Sequence, residues 1–196
     1  MVNSVNAVVA GLVGFALLAF CACGKYGPPL APEYFSPEAI KELQVTPSTA
    51  GVLLTWKAPE SDRSGKELKE IEGYIVCRDQ EIADQGGDDA ECHEIGRVPD
   101  NHLKELKRLR DEAYAANRPT RRVTVPAESK RFEYLDKAVI AGNTYRYVVA
   151  PYNQGGVKGE MRQQIRIRFV GEGSTFQVGP YQSKDLGDSD LTQKMD

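Results

Sequence analysis

An antiparallel β-sandwich with one inserted helix is the fold class this sequence predicts, on three observations. Short apolar runs alternate with period two between residues 38 and 170, turn-forming residues separate them, and only one segment has the spacing of a substantial helix. Strands that bury one face and wet the other alternate in this way. A parallel α/β sheet would need a helix between most successive strands, and the sequence does not supply them.

The chain opens on a segment of another kind. Ala7 to Phe20 is an uncharged apolar run of fourteen residues, followed by Cys21-Ala22-Cys23-Gly24. That length fits the core of a secretory signal and falls short of the roughly 20 residues a membrane-crossing helix needs. A buried helix of a soluble domain would show polar residues along one face, and none interrupts the run. Cleavage before Cys21 would put Phe20 in a slot for a small residue, whereas cleavage before Cys23 puts Ala22 there. Phe20-Cys21-Ala22-Cys23 resembles the bacterial lipobox. The resemblance implies a signal peptide over residues 1–22, a diacylglycerol thioether on Cys23 and an acylated new N-terminus, palmitate being a typical chain. Two or three acyl chains anchor a protein stably without a membrane span.

Residues 23–37 form the expected lipidated N-terminus and stalk. Pro28, Pro29, Pro32 and Pro37 disfavour helix there and favour extended conformations. The strand candidates follow: Ile40 to Thr46; Val52, Leu54 and Trp56; Tyr74 and Val76; Ile95 and Val98; Val123 and Val125; Phe132 and Tyr134; Tyr145, Tyr147 and Val149; Ile165, Ile167 and Phe169. Leu54-Thr55-Trp56-Lys57-Ala58-Pro59, Gly73-Tyr74-Ile75-Val76 and Gly142-Asn143-Thr144-Tyr145-Arg146-Tyr147-Val148-Val149, with Asn153-Gln154-Gly155-Gly156 beyond, resemble the B, C and F strands of a fibronectin type III domain. The resemblance covers residues 38–170. It implies an immunoglobulin-like sandwich with Trp56, Tyr74, Tyr145 and Tyr147 as core signature. Tyr145 would be the tyrosine corner, its hydroxyl bonded to a nearby backbone carbonyl. Pro151 stands where that family has Ala, which implies an edge position or a bulge.

An insertion at residues 100–117 is the best helix of the chain. Asp100 or Asn101 can cap it, Leu103, Leu106, Leu109 and Ala113 form one apolar stripe, and Arg118-Pro119 ends it. The stripe either packs on the sandwich or binds a partner; a helix this short needs tertiary burial, which favours packing. Residues 171–196 read as a largely disordered tail rich in Gly, Ser, Asp and Gln, within which Thr175 to Tyr181 can add a strand or a docking peptide.

Cys77 and Cys92 are the pair left after the export element, in a chain sent to an oxidising compartment. Cys77 points to the face opposite Tyr74 and Val76. A Cys77–Cys92 bridge would close a loop of about 15 residues and stabilise by up to about 3 kcal/mol. Neither cysteine sits in a Cys-x-x-Cys, so a redox role has no support.

Charge is patterned locally, although the formal net charge is only −3. Asp79, Glu81, Asp84, Asp88, Asp89, Glu91 and Glu94 form an acidic run with no Lys or Arg between them. It lacks the ligand spacing of a calcium loop, so no metal is expected and a solvated loop is the default. From Lys104 to Arg131 there are nine basic and four acidic residues. Lys104, Lys107, Arg108, Arg110, Arg121 and Arg122 are the candidates for contact with an anionic surface such as lipid phosphate or lipopolysaccharide. The few aromatics there, and export, argue against nucleic acid.

No catalytic residues are expected. His93 and His102 are the only histidines, neither lies near a nucleophile motif, and no phosphate-binding glycine loop or metalloprotease motif is present. No cofactor and no small-molecule substrate follow. The expected function is a non-enzymatic lipoprotein of the bacterial cell envelope, lipid-anchored and outer-membrane by the Gly24 after Cys23. It would present a binding module to an envelope protein or polysaccharide. Cys23-Gly24-Lys25-Tyr26-Gly27-Pro28-Pro29-Leu30 is similar to the start of small lipoproteins that accompany the lipopolysaccharide translocon. The alternative is therefore a structural accessory subunit of an envelope assembly.

Overall fold

Alternation of apolar residues becomes two facing sheets. The computed structural model describes residues 31–81 and 93–181; the leader, Cys23, Cys92, four carboxylates of the acidic run and residues 182–196 lie outside them. Eight strands are present: β1 (Lys41–Ser48), β2 (Gly51–Lys57), β3 (Gly73–Glu81), β4 (Glu94–Pro99), β5 (Arg131–Asp136), β6 (Thr144–Tyr152), β7 (Gln163–Arg168) and β8 (Thr175–Pro180). They form a three-stranded sheet in the order β1-β2-β5 and a five-stranded sheet in the order β4-β3-β6-β7-β8, antiparallel throughout. The chain changes sheet between β2 and β3, β4 and β5, and β5 and β6. This is the fibronectin type III-like, immunoglobulin-like sandwich with one extra strand at the β8 edge.

Between the sheets lie the inward residues of each strand. Val52, Leu54 and Trp56 from β2 meet Tyr74 and Val76 from β3, Tyr145, Tyr147 and Val149 from β6, and Ile165 and Ile167 from β7, all essentially buried. Trp56, Tyr74 and Phe132 form an aromatic cluster, with Trp56 edge-on to Tyr74 at 5.3 Å and Tyr74 to Phe132 at 4.7 Å. The Trp56 Nε1 donor is buried without a partner. The Tyr134 hydroxyl donates to the Ile95 carbonyl at 2.7 Å and ties β5 to β4 across the two sheets. Gly51 opens β2 at φ 136°, where a Cβ would collide with the carbonyl oxygen of Asp136; no other residue fits this β2–β5 approach.

The helix α1 (His102–Ala115) occupies the β4-to-β5 crossing, two residues shorter at each end than the expected span of 100–117. Asn101 precedes it without a side-chain cap; Asp100 supplies the bond instead, its Oδ1 accepting from His102 N at 2.8 Å. Asn117 at φ 52° ends it, with Arg118 N donating to Ala113 O and Asn117 N to Tyr114 O, and Pro119 prevents continuation. Leu103 packs against the core and Ala113 is buried, whereas Leu106 and Leu109 are half-buried, so part of the apolar stripe is used for packing.

Several expectations need correction. Val123 and Val125 are not in a strand: Pro119 and Pro126 bracket them, and they join two short 3-10 turns, Thr120–Arg122 and Ala127–Lys130. Val125 is buried all the same. The end of the expected stalk folds onto the domain, with a 3-10 turn at Pro32–Phe35, Ser36 fully buried, and the Pro37 carbonyl accepting from Glu160 N at 3.2 Å. Of the two alternatives for Thr175 to Tyr181 within the tail, the added strand is the one formed: β8 pairs along its whole length with β7. The folded unit thus begins before residue 38 and runs past residue 170. Pro151 is on the central strand β6, not an edge, but the β7 ladder has already ended at Val148. Its carbonyl accepts from Gly159 N on that side, so its missing N–H interrupts no ladder.

Candidate functional site

A carboxylate at the mouth of a sheet organises the site. Tyr74 is the second residue of β3 and points into the core, and its hydroxyl must find an acceptor there. Asp100 follows β4 directly and provides it: Tyr74 Oη donates to Asp100 Oδ2 at 2.6 Å. Burial, and secondarily the Asp100 charge, push the Tyr74 phenol far above its ordinary range, so it stays a neutral donor. The other oxygen, Oδ1, takes the His102 backbone N–H at 2.8 Å and lies 2.7 Å from His102 Nδ1. Asp100 is 1 % exposed and His102 5 %.

This arrangement fixes the ring. The contact between Nδ1 and the carboxylate holds the imidazole in one orientation. His102 also lines a groove of about 240 Å³ beneath α1, whose wall combines Pro59, Leu68, Leu103, Leu106, Val123 and Val125 with Thr124 and the charged Glu60, Glu67, Arg110 and Lys130.

Its rim is charged and internally compensated. Glu60 lies 3.0 Å from Lys41 and 3.9 Å from Lys130, and the Lys41 hydrogen bond holds the Glu60 carboxyl below its usual range. Arg110 reaches Glu67 at 3.2 Å. The β2–β3 loop that carries Glu60 and Glu67 is braced by Asp62, whose Oδ1 accepts from Ser64 N, Ser64 Oγ and Lys66 N at 2.6–3.0 Å. The groove is thus preformed on one side by a braced loop and on the other by a capped helix.

The basic candidates do not make one uncompensated face. Lys104 is 3.9 Å from Glu72, Lys107 is 3.5 Å from Asp111, Arg108 sits between Glu105 and Glu112, and Arg110 is taken by Glu67. Arg121 and Arg122 are exposed in the turn after α1 and have no carboxylate partner among the described residues. The described part of the acidic run is paired as well: Asp79 with His93 at 3.1 Å, Glu81 with Arg146 and Arg166, Glu94 with Arg97. The absence of Lys and Arg within that run did not foresee partners arriving from β6 and β7.

The core-signature residues serve structure. Tyr145 Oη accepts from the Ile140 backbone N–H at 2.9 Å, so its corner bond goes to an amide and not to a carbonyl. Tyr147 Oη donates to Asp136 Oδ2 at 2.7 Å, and Arg78 Nη1 donates to the same oxygen at 2.8 Å. Cys77 faces away from Tyr74 and Val76, beside Ile75 and Val148, and is disulfide-bonded; its expected partner Cys92 and the lipid site Cys23 are outside the described residues. Asp100, Asp136 and Arg78 were not singled out from sequence as functional. The signal for two of them was the need of each buried tyrosine for an acceptor.

No protein-family model matches the chain, and no curated protein does. Among solved structures, the chain is similar to a twitchin kinase region from C. elegans (Fn31-NL-kin-CRD-Ig26), at 11% identity and TM-score 0.37, over 65% of this chain and 15% of that one. It is also similar to a Yersinia enterocolitica family 28 exopolygalacturonase, at 16% identity and TM-score 0.30, over 74% of this chain and 21% of that one. The chain thus spans less than a quarter of either structure, and likenesses of this size say nothing of function. Its own strand order makes it a fibronectin type III-like antiparallel sandwich with one inserted helix.

Proposed function

We propose that this chain is a lipid-anchored envelope lipoprotein, outer-membrane in location, whose sandwich is a non-enzymatic binding module for an envelope protein or polysaccharide. The anchor half of this reading rests on the apolar leader and Ala22-Cys23-Gly24. The binding half is supported by one observation above all: the inserted helix roofs a preformed groove of about 240 Å³ whose lining combines apolar side chains with His102, Thr124 and charged residues. No nucleophile motif accompanies that histidine, which favours recognition over catalysis.

Metabolic labelling with palmitate tests the anchor; label is expected on the parent chain and lost in Cys23→Ala. Retained label in that variant overturns it. Crosslinked capture from membranes, compared between the parent chain and Leu106→Arg, tests the groove, since an arginine there would fill it.

A second reading has its own support. Of the four sheet edges, β1, β4 and β5 carry charged residues, whereas β8 (Thr175–Pro180) carries none and exposes Phe176 and Val178. Native edges are normally blunted by charge or bulges. An accessory subunit packed permanently along β8 would account for the bare edge. It would leave the isolated chain prone to association, which sedimentation of a Val178→Lys variant against the parent would read.

A further inference from the structure

We propose that the end of the sandwich at which the N-terminal segment joins is a docking face for the anionic phospholipid surface of the bilayer that holds the anchor, with Tyr34 and Phe35 at headgroup depth and the arginines after α1 on lipid phosphate. The inference rests on the lipid-anchored reading and deepens it by fixing which end of the domain meets the membrane.

Topology gathers the parts. β1, β3, β5 and β7 start at one end of the sandwich and β2, β4, β6 and β8 finish there, since Lys57 pairs with both Lys41 and Arg131, Gly73 with Pro99 and Tyr152, and Gln163 with Pro180. The packing of Tyr74 against Trp56 and Phe132 brings these ends of the two sheets together. The turn Pro32–Phe35, the β2–β3 loop and the chain from α1 to β5 all belong to this end: Arg63 N donates to Ser36 O at 3.0 Å, and Ala58 N to Lys130 O at 2.9 Å. Covalent reach then sets the distance. Ala31 lies eight residues after Cys23, so an anchor at Cys23 holds this end within about 28 Å of the bilayer even at full extension of the link.

The side chains there suit a charged interface with an apolar layer beneath it. Tyr34 is 52 % exposed and Phe35 48 %, and the turn that carries them is braced: Ser36, fully buried, donates its N–H and its hydroxyl to the Glu33 carbonyl at 3.2 and 2.6 Å. Two adjacent aromatic rings held out of the core by a fixed turn resemble the aromatic residues that sit at the headgroup level of bilayers. At the same end Arg63, Lys66, Lys69, Arg118, Arg121 and Arg122 are exposed and have no carboxylate partner among the described residues. Three exposed carboxylates there, Glu33, Glu70 and Glu128, likewise lack a partner among the described residues, which leaves cations in surplus. Each cation near an anionic bilayer strengthens attachment about fivefold and acts within a Debye length of about 8 Å at physiological salt, so the surplus works only on a surface that this end can touch. The far end lies about 25 Å away, the length of a strand of eight residues. It carries Lys137 and Arg168 without carboxylate partners among the described residues and serves as the control.

The test uses the chain from Gly24 onward, which lacks the leader and the lipid site and keeps both sheets and the core between them whole. It is sedimented with vesicles of phosphatidylcholine and with vesicles of equal parts phosphatidylcholine and phosphatidylglycerol. Saturable binding to the mixed vesicles alone is expected, falling as salt is raised. Arg121→Ala with Arg122→Ala should weaken it about 25-fold, and Tyr34→Ser with Phe35→Ser about tenfold, whereas Lys137→Ala with Arg168→Ala should change it less than about twofold. All six side chains are exposed, so the variants should fold as the parent does. No binding to the mixed vesicles, unchanged binding in either variant of the tether end, equal loss in the far-end variant, or binding that requires lipopolysaccharide in place of phosphatidylglycerol would overturn the proposal. A chain that takes up palmitate and fails in the vesicle assay sinks the docking face alone; one that binds the mixed vesicles and takes up no palmitate sinks the anchor alone.

Discussion

Two aspartates of this sandwich are built almost alike and end differently. Asp100 follows β4 and Asp136 closes β5; each is buried, each gives Oδ2 to the hydroxyl of a core tyrosine, and each gives Oδ1 to the backbone N–H two residues on. The third partner differs. Asp136 is met by the Arg78 guanidinium, which also donates to the Ala138 carbonyl at 2.7 Å and lies over the Tyr145 ring at 5.2 Å. Asp100 is met by His102, a ring with two nitrogens of which one is spent on the carboxylate. The arginine cluster therefore closes on itself and locks a sheet end, whereas the histidine cluster joins a sheet end to α1 and borders the groove beneath that helix.

The largest effect should come from removing the locked carboxylate. Asp136→Ala strands a half-buried guanidinium and a buried phenol, and unpairing a buried ion pair in this way costs about 3–5 kcal/mol. Urea unfolding of the parent and variant chains would read the loss, and a change under about 1 kcal/mol would show that Arg78 finds water or another partner without cost. Asp100→Ala should cost less, about 2–3 kcal/mol, because it strands the Tyr74 hydroxyl and the His102 amide and ring but no guanidinium. If the two variants were equally damaging, charge would not be what distinguishes the clusters.

Alkali offers a view of both tyrosines together. Burial raises the phenols of Tyr74 and Tyr147 well above their ordinary value, with the carboxylate each one bonds adding to the shift. Their stabilisation is complete below the unfolded-state value near about 10. It falls as pH rises beyond that, since the unfolded chain releases protons that the folded chain keeps. The loss per tyrosine approaches about 1.4 kcal/mol per pH unit well above that value and is about 1 kcal/mol between pH 10 and pH 11, where the unfolded phenol is only part ionised at the start. Tyr74→Phe and Tyr147→Phe should each flatten the decline of unfolding free energy between pH 10 and pH 11 by about 1 kcal/mol. An unchanged slope in either variant would mean that its phenol ionises in the folded chain.

Much of the scaffold was legible from the sequence because it depends on local pattern. Trp56 alternates with Leu54 and Val52, Tyr145 with Tyr147 and Val149, and period two with turn residues between is enough to place them inside. What escaped depends on long-range pairing. Tyr74 and Asp100 are 26 residues apart, and Arg78 and Asp136 are 58 apart, separations that no window of sequence connects. The buried tyrosines announced that acceptors were needed without saying which carboxylates would come. Val123 and Val125 misled for the opposite reason: their alternation was real, but prolines on either side left no room for a ladder. The ion pairs of Arg110 and Lys104 were not legible locally, because Glu67 and Glu72, which draw them in, come from a different loop.

The smallest effect is expected where the comparison matters most. His102→Leu leaves Asp100 with the Tyr74 hydroxyl and the backbone amide of residue 102, so neither carboxylate oxygen loses every partner. Leucine is close in size and suits a wall already lined by Leu68, Leu103 and Leu106. The expected cost is within about 1 kcal/mol by urea unfolding, the range of a single modest hydrogen bond. Arg78→Leu, by contrast, leaves the Asp136 charge buried and should cost about 3 kcal/mol or more. Should His102→Leu prove as damaging as Arg78→Leu, the ring would be a structural strut for Asp100, and charge would not be what separates the two clusters.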